Sequence, residues 1–511
     1  MTPGPVQRSG ASPSQRQAPM TSETFDSAAA DASAPPAAAS RNGGLVIAVL
    51  LVSTFVVMLN ETAMSVAIPP LMEALGVTAS GAQWLTTAFL LTMAVVIPIT
   101  GFLLQRLNTR PIFLLAMSLF ALGTSVAALA PNLEVLIGAR VVQATGTAIM
   151  MPLLMTTIMT IVPPHERGKM MGNISIVMSV APAIGPAAAG LILHFLEWRW
   201  IFIIVLPIAL GALYLGHRMM VNVSTPRYTP LDILSVIMSA LAFGGIVYGL
   251  SSLGEPAGQA LVPAWVPLVI GLVVMVLFVW RQLGLARKGA ALLDLSTLNA
   301  KNYSVSLVMI SILMLAMFGT IILLPIYLVQ IQGFDTLSTG LLMLPGSLLM
   351  GLLGPFVGRL YDRVGPTPLV VPAMALVSLV LWATTLLGVG TPWQFILAGH
   401  IVISIGFSFL FGPLFTSSLS SVPPQLYSHG SALLGSIQQV AGAAGVAMFV
   451  AIMSAQSAAL AGAGADPSEA LAGGIRMAFT VGAVISLFAL AASLFVRRPP
   501  AQEGGWHGGG H

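Results

Sequence analysis

The charges of this chain are few and segregated. Of its residues 57% are apolar and 7% charged, and the charged ones fall almost entirely in short gaps between long apolar runs. A helix of about 18 apolar residues is long enough to cross a hydrocarbon layer roughly 30 Å thick. About fourteen such runs can be read. They start near Gly44, Ala82, Pro111, Leu133, Met170, Trp200, Leu231, Pro263, Tyr303, Thr336, Pro368, Trp393, Gly430 and Ile475. Inside hydrocarbon every backbone group must find its partner within the chain, and these runs are too long and too evenly apolar for the alternating strands of a barrel. The expected fold class is an all-α membrane protein.

Lys and Arg set the orientation. Arg8, Arg16, Arg41, Arg106, Arg110, Arg167, Lys169, Arg218, Arg227, Arg281, Arg287, Lys288, Lys301, Arg359, Arg363, Arg497 and Arg498 all fall on one side of the spans. The opposite loops carry Arg199 and Arg476 among Glu73, Glu197, Glu255, Asp335, Asp466 and Glu469. The positive-inside rule makes the basic side cytoplasmic and places both termini there. The net charge of +4 is thereby explained as topology. No basic stripe is interleaved with exposed aromatics, so nucleic acid is not an expected partner. Residues 1–43, rich in Ala, Pro, Ser and Gln, lack the apolar core of a signal peptide and are expected to form a disordered cytoplasmic tail ahead of an uncleaved first span. Residues 497–511 read the same way, and His507 and His511 among glycines read as flexible tail rather than as a metal site.

A repeat divides the rest. Gly101-Phe-Leu-Leu-Gln105-Arg106-Leu-Asn-Thr-Arg110 follows the second run, and Gly358-Arg359-Leu-Tyr-Asp362-Arg363-Val-Gly365 follows the tenth. Each runs glycine, polar or acidic residue, arginine, turn. Parallel six-helix halves with a site at their interface are a common transporter plan. It would give bundles over 44–220 and 303–496, separated by two additional spans within 221–302.

Several motifs then carry a resemblance. Leu59-Asn60-Glu61-Thr62-Ala63-Met64-Ser65-Val66-Ala67-Ile68-Pro69 resembles a Leu-Asp-x-Thr…Ala-Leu-Pro motif, and Arg140-Val-Val-Gln143-Ala-Thr-Gly146 resembles Arg-x-x-Gln-Gly-x-Gly. Gly185-Pro186-Ala-Ala-Ala-Gly190 is similar to an antiporter Gly-Pro motif, and Trp198-Arg199-Trp200-Ile-Phe202 and Pro325-Ile-Tyr327-Leu-Val-Gln330 are further matches. Together, over roughly Leu45 to Val496, they resemble the fourteen-span drug:proton antiporters of the major facilitator superfamily. The resemblance implies two six-helix bundles plus two extra central helices, and proton-coupled export of diverse amphipathic compounds across a bacterial cell membrane. It implies no cofactor beyond the proton gradient. Asn60 stands where the family usually has Asp, with Glu61 beside it, a variant resembling the lincomycin-resistance branch. Gln105 also replaces a usual Asp, while Asp362 and Arg363 keep the second-half pattern.

Glu61 is the acidic residue found well inside a span, and a charge at that depth costs a few kcal/mol unless paired, hydrated or protonated. It lies about 13 Å from the outer end of its span and Arg140 about 10 Å from the outer end of the fourth, so the two share a depth. One reading has them exchanging partners through a transport cycle, with Glu61 carrying the proton. The other has a permanent polar pair that fixes helix register. Gln143 and Thr147 continue the Arg140 face and are expected to line a cavity or to pack. With them, Met58, Asn60, Met151, Met314, Tyr327, Gln330, His400 and Gln438 are candidate cavity residues, the methionines because flexible side chains repack around unlike ligands. Gly185, Pro186 and Gly190 form a candidate hinge, and Gly101, Arg106, Arg110, Gly358, Asp362 and Arg363 a candidate cytoplasmic gate.

Other classes are constrained. The chain has no Cys, no His-Glu-x-x-His, no Gly-x-Ser-x-Gly and no phosphate-cradling loop, so neither a catalytic constellation nor an ATPase is read from it. A uniporter or symporter of the same fold, or a lipid-handling or receptor-like membrane protein, stays open on the residues alone. The expected partners are small amphipathic substrates, protons and the lipid bilayer, and the chain is read as a monomer.

Overall fold

A computed structural model of the chain describes residues 36–77, 79–223, 231–252 and 262–498, together with Met1 and Pro226. Fourteen α-helices follow one another: α1 (Pro36–Leu75), α2 (Ala79–Arg106), α3 (Thr109–Ala128), α4 (Leu133–Ile161), α5 (Arg167–Phe195), α6 (Arg199–Met219), α7 (Ile233–Ser252), α8 (Trp265–Ala286), α9 (Lys301–Gln330), α10 (Thr336–Val364), α11 (Thr367–Thr384), α12 (Trp393–Ser420), α13 (Tyr427–Gly462) and α14 (Pro467–Ser493). All fourteen are long and apolar enough to cross a membrane, and no strand occurs among the described residues. The fold is all-α because helices alone close their backbone hydrogen bonds within a single span.

Most helices begin within a few residues of the expected positions. The exceptions are α1, which starts at Pro36 and so takes residues 36–43 out of the expected tail, and α14, which starts well before Ile475: Asp466 caps it by accepting from the Ser468 N–H at 2.9 Å, and the helix runs through Glu469 before its apolar part begins. The tail expected over residues 1–43 lies outside the described residues apart from Met1 and 36–43, as do His507, His511 and everything after residue 498. Arg497 and Arg498 are corrected out of that tail. Val496 is buried, the Arg497 N–H donates to Asn302 Oδ1 at 2.9 Å, and Thr367 Oγ1 donates to the Val496 carbonyl at 2.8 Å.

The chain divides into a short opening unit, Met1–Asn42, and a large unit from Gly43 onward. In the large unit α4 packs on α2 and α3, and α3 on α6, while α13 packs on α9 and α14, α12 on α10 and α11, and α11 on α14. Two seams join these groups: α5 against α10 and α12, and α2 and α4 against α13. Lipid tails are as apolar as leucine, so helices in a bilayer associate through close packing and hydrogen bonds rather than by escaping solvent, and small residues decide where they approach. A Cβ at Gly146 of α4 would fall on the Ala116 carbonyl of α3, and one at Gly172 of α5 on the Gly354 carbonyl of α10.

The two additional helices form a hairpin in which Gly245 and Gly249 of α7 meet Gly271 and Leu268 of α8 backbone to backbone. Its basic end is tied by Arg281, which donates to both Asp232 carboxylate oxygens at 2.7 and 2.9 Å. That bond, with help from Ser235, holds the Asp232 carboxyl down at about 2. The pairing is therefore complete above the ordinary carboxylate range and is lost only as pH falls through about 2. Beside it Gln282, fully buried, donates to Ser235 Oγ at 2.8 Å and accepts from the backbone N–H groups of Leu292 and Leu293 at 2.8 and 3.2 Å. One amide thus fixes the connector leading to α9. Replacing Gln282 with Ala should orphan two buried N–H donors and cost about 1–3 kcal/mol, read as a lowered thermal-unfolding midpoint in detergent.

Candidate functional site

The depth argument brings α1 and α4 together one residue away from where it pointed. Arg140, 1% exposed, donates from Nη1 to Asn60 Oδ1 at 3.1 Å and to Gln143 Oε1 at 2.6 Å, and its guanidinium lies 4.1 Å from the centroid of the Phe89 ring of α2. Gln143 spends its other amide atom on Thr124 Oγ1 of α3 at 2.8 Å, and Thr124 donates to its own helix at the Phe120 carbonyl. Four helices therefore hold one cation with neutral acceptors and a π-face. Glu61 is next to this cluster but not in it. Among the described residues the one ion pair is Arg281 with Asp232, so no basic nitrogen lies within 4.0 Å of the Glu61 carboxylate. Its Oε2 is sealed from solvent and has no hydrogen-bond partner there.

The hinge glycine touches the same stretch of α1. A Cβ at Gly185 of α5 would collide with Thr62 Oγ1 and the Leu59 carbonyl, so α5 seats its proline-bearing segment on the residues flanking Asn60 and Glu61. Pro186 lies in the same helix with Pro182 close by. Gly190 faces open space, which corrects its expected role as a close-packing residue.

Several cavity expectations change. Gln143 and Thr147 are fully buried, Gln143 between α3 and Arg140, and Thr147 donating to the Gln143 carbonyl at 3.1 Å, so neither reaches open space. Their helix face is used up by α3 and α1. Tyr327 is also fully buried, its hydroxyl donating to the Gly388 carbonyl at 2.7 Å and accepting from Gln332 at 3.1 Å, which makes it a tie between α9 and the α11–α12 connection. Gln330, at the end of α9, is exposed. Met314 is 3% exposed, whereas Met58, Met151 and Gln438 are half-buried. His400 is buried on α12 against Gly346 of α10, with Nδ1 lacking a partner among the described residues.

At the basic end the second-half loop makes a lock. Asp362 of α10 accepts from the backbone N–H groups of Gly168 and Lys169, at 2.8 and 2.9 Å, at the start of α5. A carboxylate on the open N–H groups of a helix N-terminus is favoured by both hydrogen bonding and the helix dipole. Gly358 lies directly on the Gly168 carbonyl, while Arg363 is exposed. The first-half loop is built differently. Gly101 lies against Ala432 and Ser428 of α13, and Gln105 donates to the Gln425 carbonyl at 3.2 Å. Arg106 stands over its own helix's Phe102 ring at 5.9 Å. Arg110, expected at the gate, instead donates to the His217 carbonyl at 2.8 Å and so closes the end of α6.

One residue was missed. Arg167, counted from sequence as a topology charge, is 7% exposed. It donates to the carbonyls of Met159 and Val162, where α4 ends, and across the seam to Tyr427 Oη of α13 at 3.3 Å. Thr156 and Ser431 pair at 2.7 Å on the same seam. A second internal repeat marks the place: Val162-Pro163-Pro164 and Val422-Pro423-Pro424 each lead into a one-turn 3-10 helix, and Arg167 and Tyr427 occupy the same position after it. Among the described residues no group of three or more His, Asp or Glu side chains is placed to hold a metal.

Two packed helical groups with fourteen helices of membrane-spanning length among the described residues define a multi-pass membrane protein, and its family makes it a transporter rather than an enzyme. The sequence profile of the Major Facilitator Superfamily matches residues 50–446, and the chain belongs to that family. It is 40% identical over 458 residues to the lincomycin resistance protein LmrB of Listeria monocytogenes, covering 89% of this chain and 96% of that one. It is 27% identical to a multidrug resistance protein B homolog of Mycobacterium tuberculosis, covering 78% and 74%. Among solved structures it shares the fold of the proton:xylose symporter XylE, at a TM-score of 0.59 and 14% identity over 90% of this chain and 97% of that one. The human organic anion transporter MFSD10 gives 0.62 at 16% identity, over 90% and 100%.

Replacing Asn60 with Leu should leave the buried guanidinium short of one acceptor at a cost of about 1.5–3 kcal/mol. Thermal unfolding in detergent checks this, and Asn60→Asp, which keeps an acceptor oxygen, should not show the loss.

Proposed function

We propose that the protein exports amphipathic, drug-like compounds across the bacterial cell membrane in exchange for protons, by alternating access. The basic end and both termini then face the cytoplasm, as the distribution of Lys and Arg requires. The observation that carries the reading is the placement of Glu61: a carboxyl group within a span, with one oxygen sealed and unpartnered and no ion pair among the described residues, near an arginine whose hydrogen bonds go to amides. A carboxylate so placed is compensated only through the field of that arginine, and protonation removes the charge that must be compensated. Glu61 is accordingly the proton carrier, and Arg140 is the fixed cation whose field it meets on losing the proton. That the relatives at 40% and 27% identity are named for lincomycin and multidrug resistance supports the substrate class.

The remaining parts fall into place around that exchange. Gly185 couples α5 to the Glu61 segment, and the same helix begins at the Asp362 lock. Movement of α1 on protonation is thereby passed along α5 to the cytoplasmic end. Half-buried Met58, Met151 and Gln438 are the candidate ligand contacts, the methionines because flexible side chains repack around unlike ligands.

Everted vesicles loaded with a pH-sensitive dye test the scheme. Addition of lincomycin or ethidium should release protons from vesicles carrying the protein, and Glu61→Gln should abolish that release at unchanged expression. Uptake that persists after the proton gradient is collapsed would instead indicate facilitated diffusion, and full proton release by the Glu61→Gln variant would remove Glu61 from the mechanism.

A further inference from the structure

The two seams that close the basic end are chemically unequal, and the two additional helices cover only one of them. Along the α5–α10 seam, Gly168 and Gly172 meet Gly358 and Gly354 with backbone on backbone, and Asp362 caps α5 with two hydrogen bonds. Further along, Gly351 of α10 lies on Val180 of α5. Main chain in van der Waals contact at Gly168, Gly172, Gly354 and Gly358 leaves little room for rearrangement, so separating it loses many contacts at once.

The α2–α13 seam is looser. A Cβ at Gly101 would stand 3.0 Å from Ala432 Cβ and 3.3 and 3.4 Å from the Ser428 carbonyl and His429 Cα, and one at Gly435 3.0 Å from Ile97 Cγ2, whereas along the other seam each would stand closer still to the facing carbonyl. Gln105 holds the position that Asp362 holds in the other loop, four residues after the seam glycine and just before an arginine. Its neutral amide makes one bond to a carbonyl instead of accepting two N–H groups. Beside it α4 meets α13 through the Thr156–Ser431 hydroxyl pair, and Arg167 at the start of α5 bonds Tyr427. α7 packs against both α2 and α13, with Trp84 and Tyr248 stacked at 5.9 Å and Gly244 lying on Leu91 and Val95 of α2. α8 backs α7 and turns Val273, Val276 and Trp280 outward.

Resting on the alternating-access reading above, we propose that the cytoplasmic mouth opens by a swing about the α5–α10 seam, that the α2–α13 seam is the one that parts, and that the α7–α8 hairpin keeps lipid out of it. A seam that separates while facing the bilayer needs a cover, because lipid tails would otherwise enter the gap. A seam that stays zipped needs none. The hairpin is fastened outside the moving contact, at Asp232–Arg281 and through Gln282 to the connector before α9, so it can stay in place while α2 and α13 part.

The absence of cysteine makes site-directed spin labelling direct. One pair, Asn108→Cys with Gln425→Cys, reports α2–α13, and a second, Glu166→Cys with Arg359→Cys, reports α5–α10. Pulsed electron–electron distances are measured in nanodiscs between pH 5 and pH 8, with and without ethidium. A longer-distance population in the first pair, with the second unchanged, is expected. Equal widening of both pairs, or widening of the second alone, overturns the swing. No widening of either overturns the alternating opening on which it rests. In the first pair's background, Gln105→Asp supplies the missing carboxylate and should reduce the open fraction several-fold, and an unchanged fraction counts against the α2–α13 seam as the gate.

Discussion

A guanidinium keeps its charge wherever the fold puts it, and inside a membrane protein its solvation must come from neighbouring side chains. Arg140 obtains it from Asn60, Gln143 and the ring of Phe89, with Thr124 behind Gln143. Those groups belong to α1, α2, α3 and α4, so this one charge sets the register of four helices. An acid at position 60 would pair with the arginine directly, whereas the amide there accepts one of its hydrogen bonds without a charge. The mechanism proposed for the protein depends on that division of labour between Asn60 and Glu61.

The contact geometry of α5 makes it the member that links the two ends of the molecule. Its outer half rests on α1 through Gly185, and its inner half rests on α10 through Gly168 and Gly172. Both contacts need glycine because a carbonyl or hydroxyl oxygen occupies the space where a Cβ would project. Pro182 and Pro186 lie inside the same helix, where each removes one intrahelical hydrogen bond.

The spans, the all-helical class and the family were legible in sequence because apolar length and the order of motifs are local properties. Depth was legible to within one residue: counting from the span ends put Glu61 level with Arg140, and the arginine bonds Asn60, the residue beside it. What could not be read is which neighbour a helix face meets. Gln143 and Thr147 lie on the face of Arg140 as expected, but α3 comes close enough through Gly123 and Gly146 to bury them. Tyr327 sits in a recognised motif and is consumed by a loop. Arg167 was hidden because the positive-inside rule accounts for any arginine in a basic loop, whether solvated or buried. Comparing the two Val-Pro-Pro segments would have shown it paired in position with Tyr427.

Positions 167 and 427 follow matching Val-Pro-Pro turns, and they touch each other across the seam. Were both arginine, two cations would meet there and repel. With a donor at one and an acceptor at the other, the joint mates unlike surfaces, and it discriminates against pairing like with like.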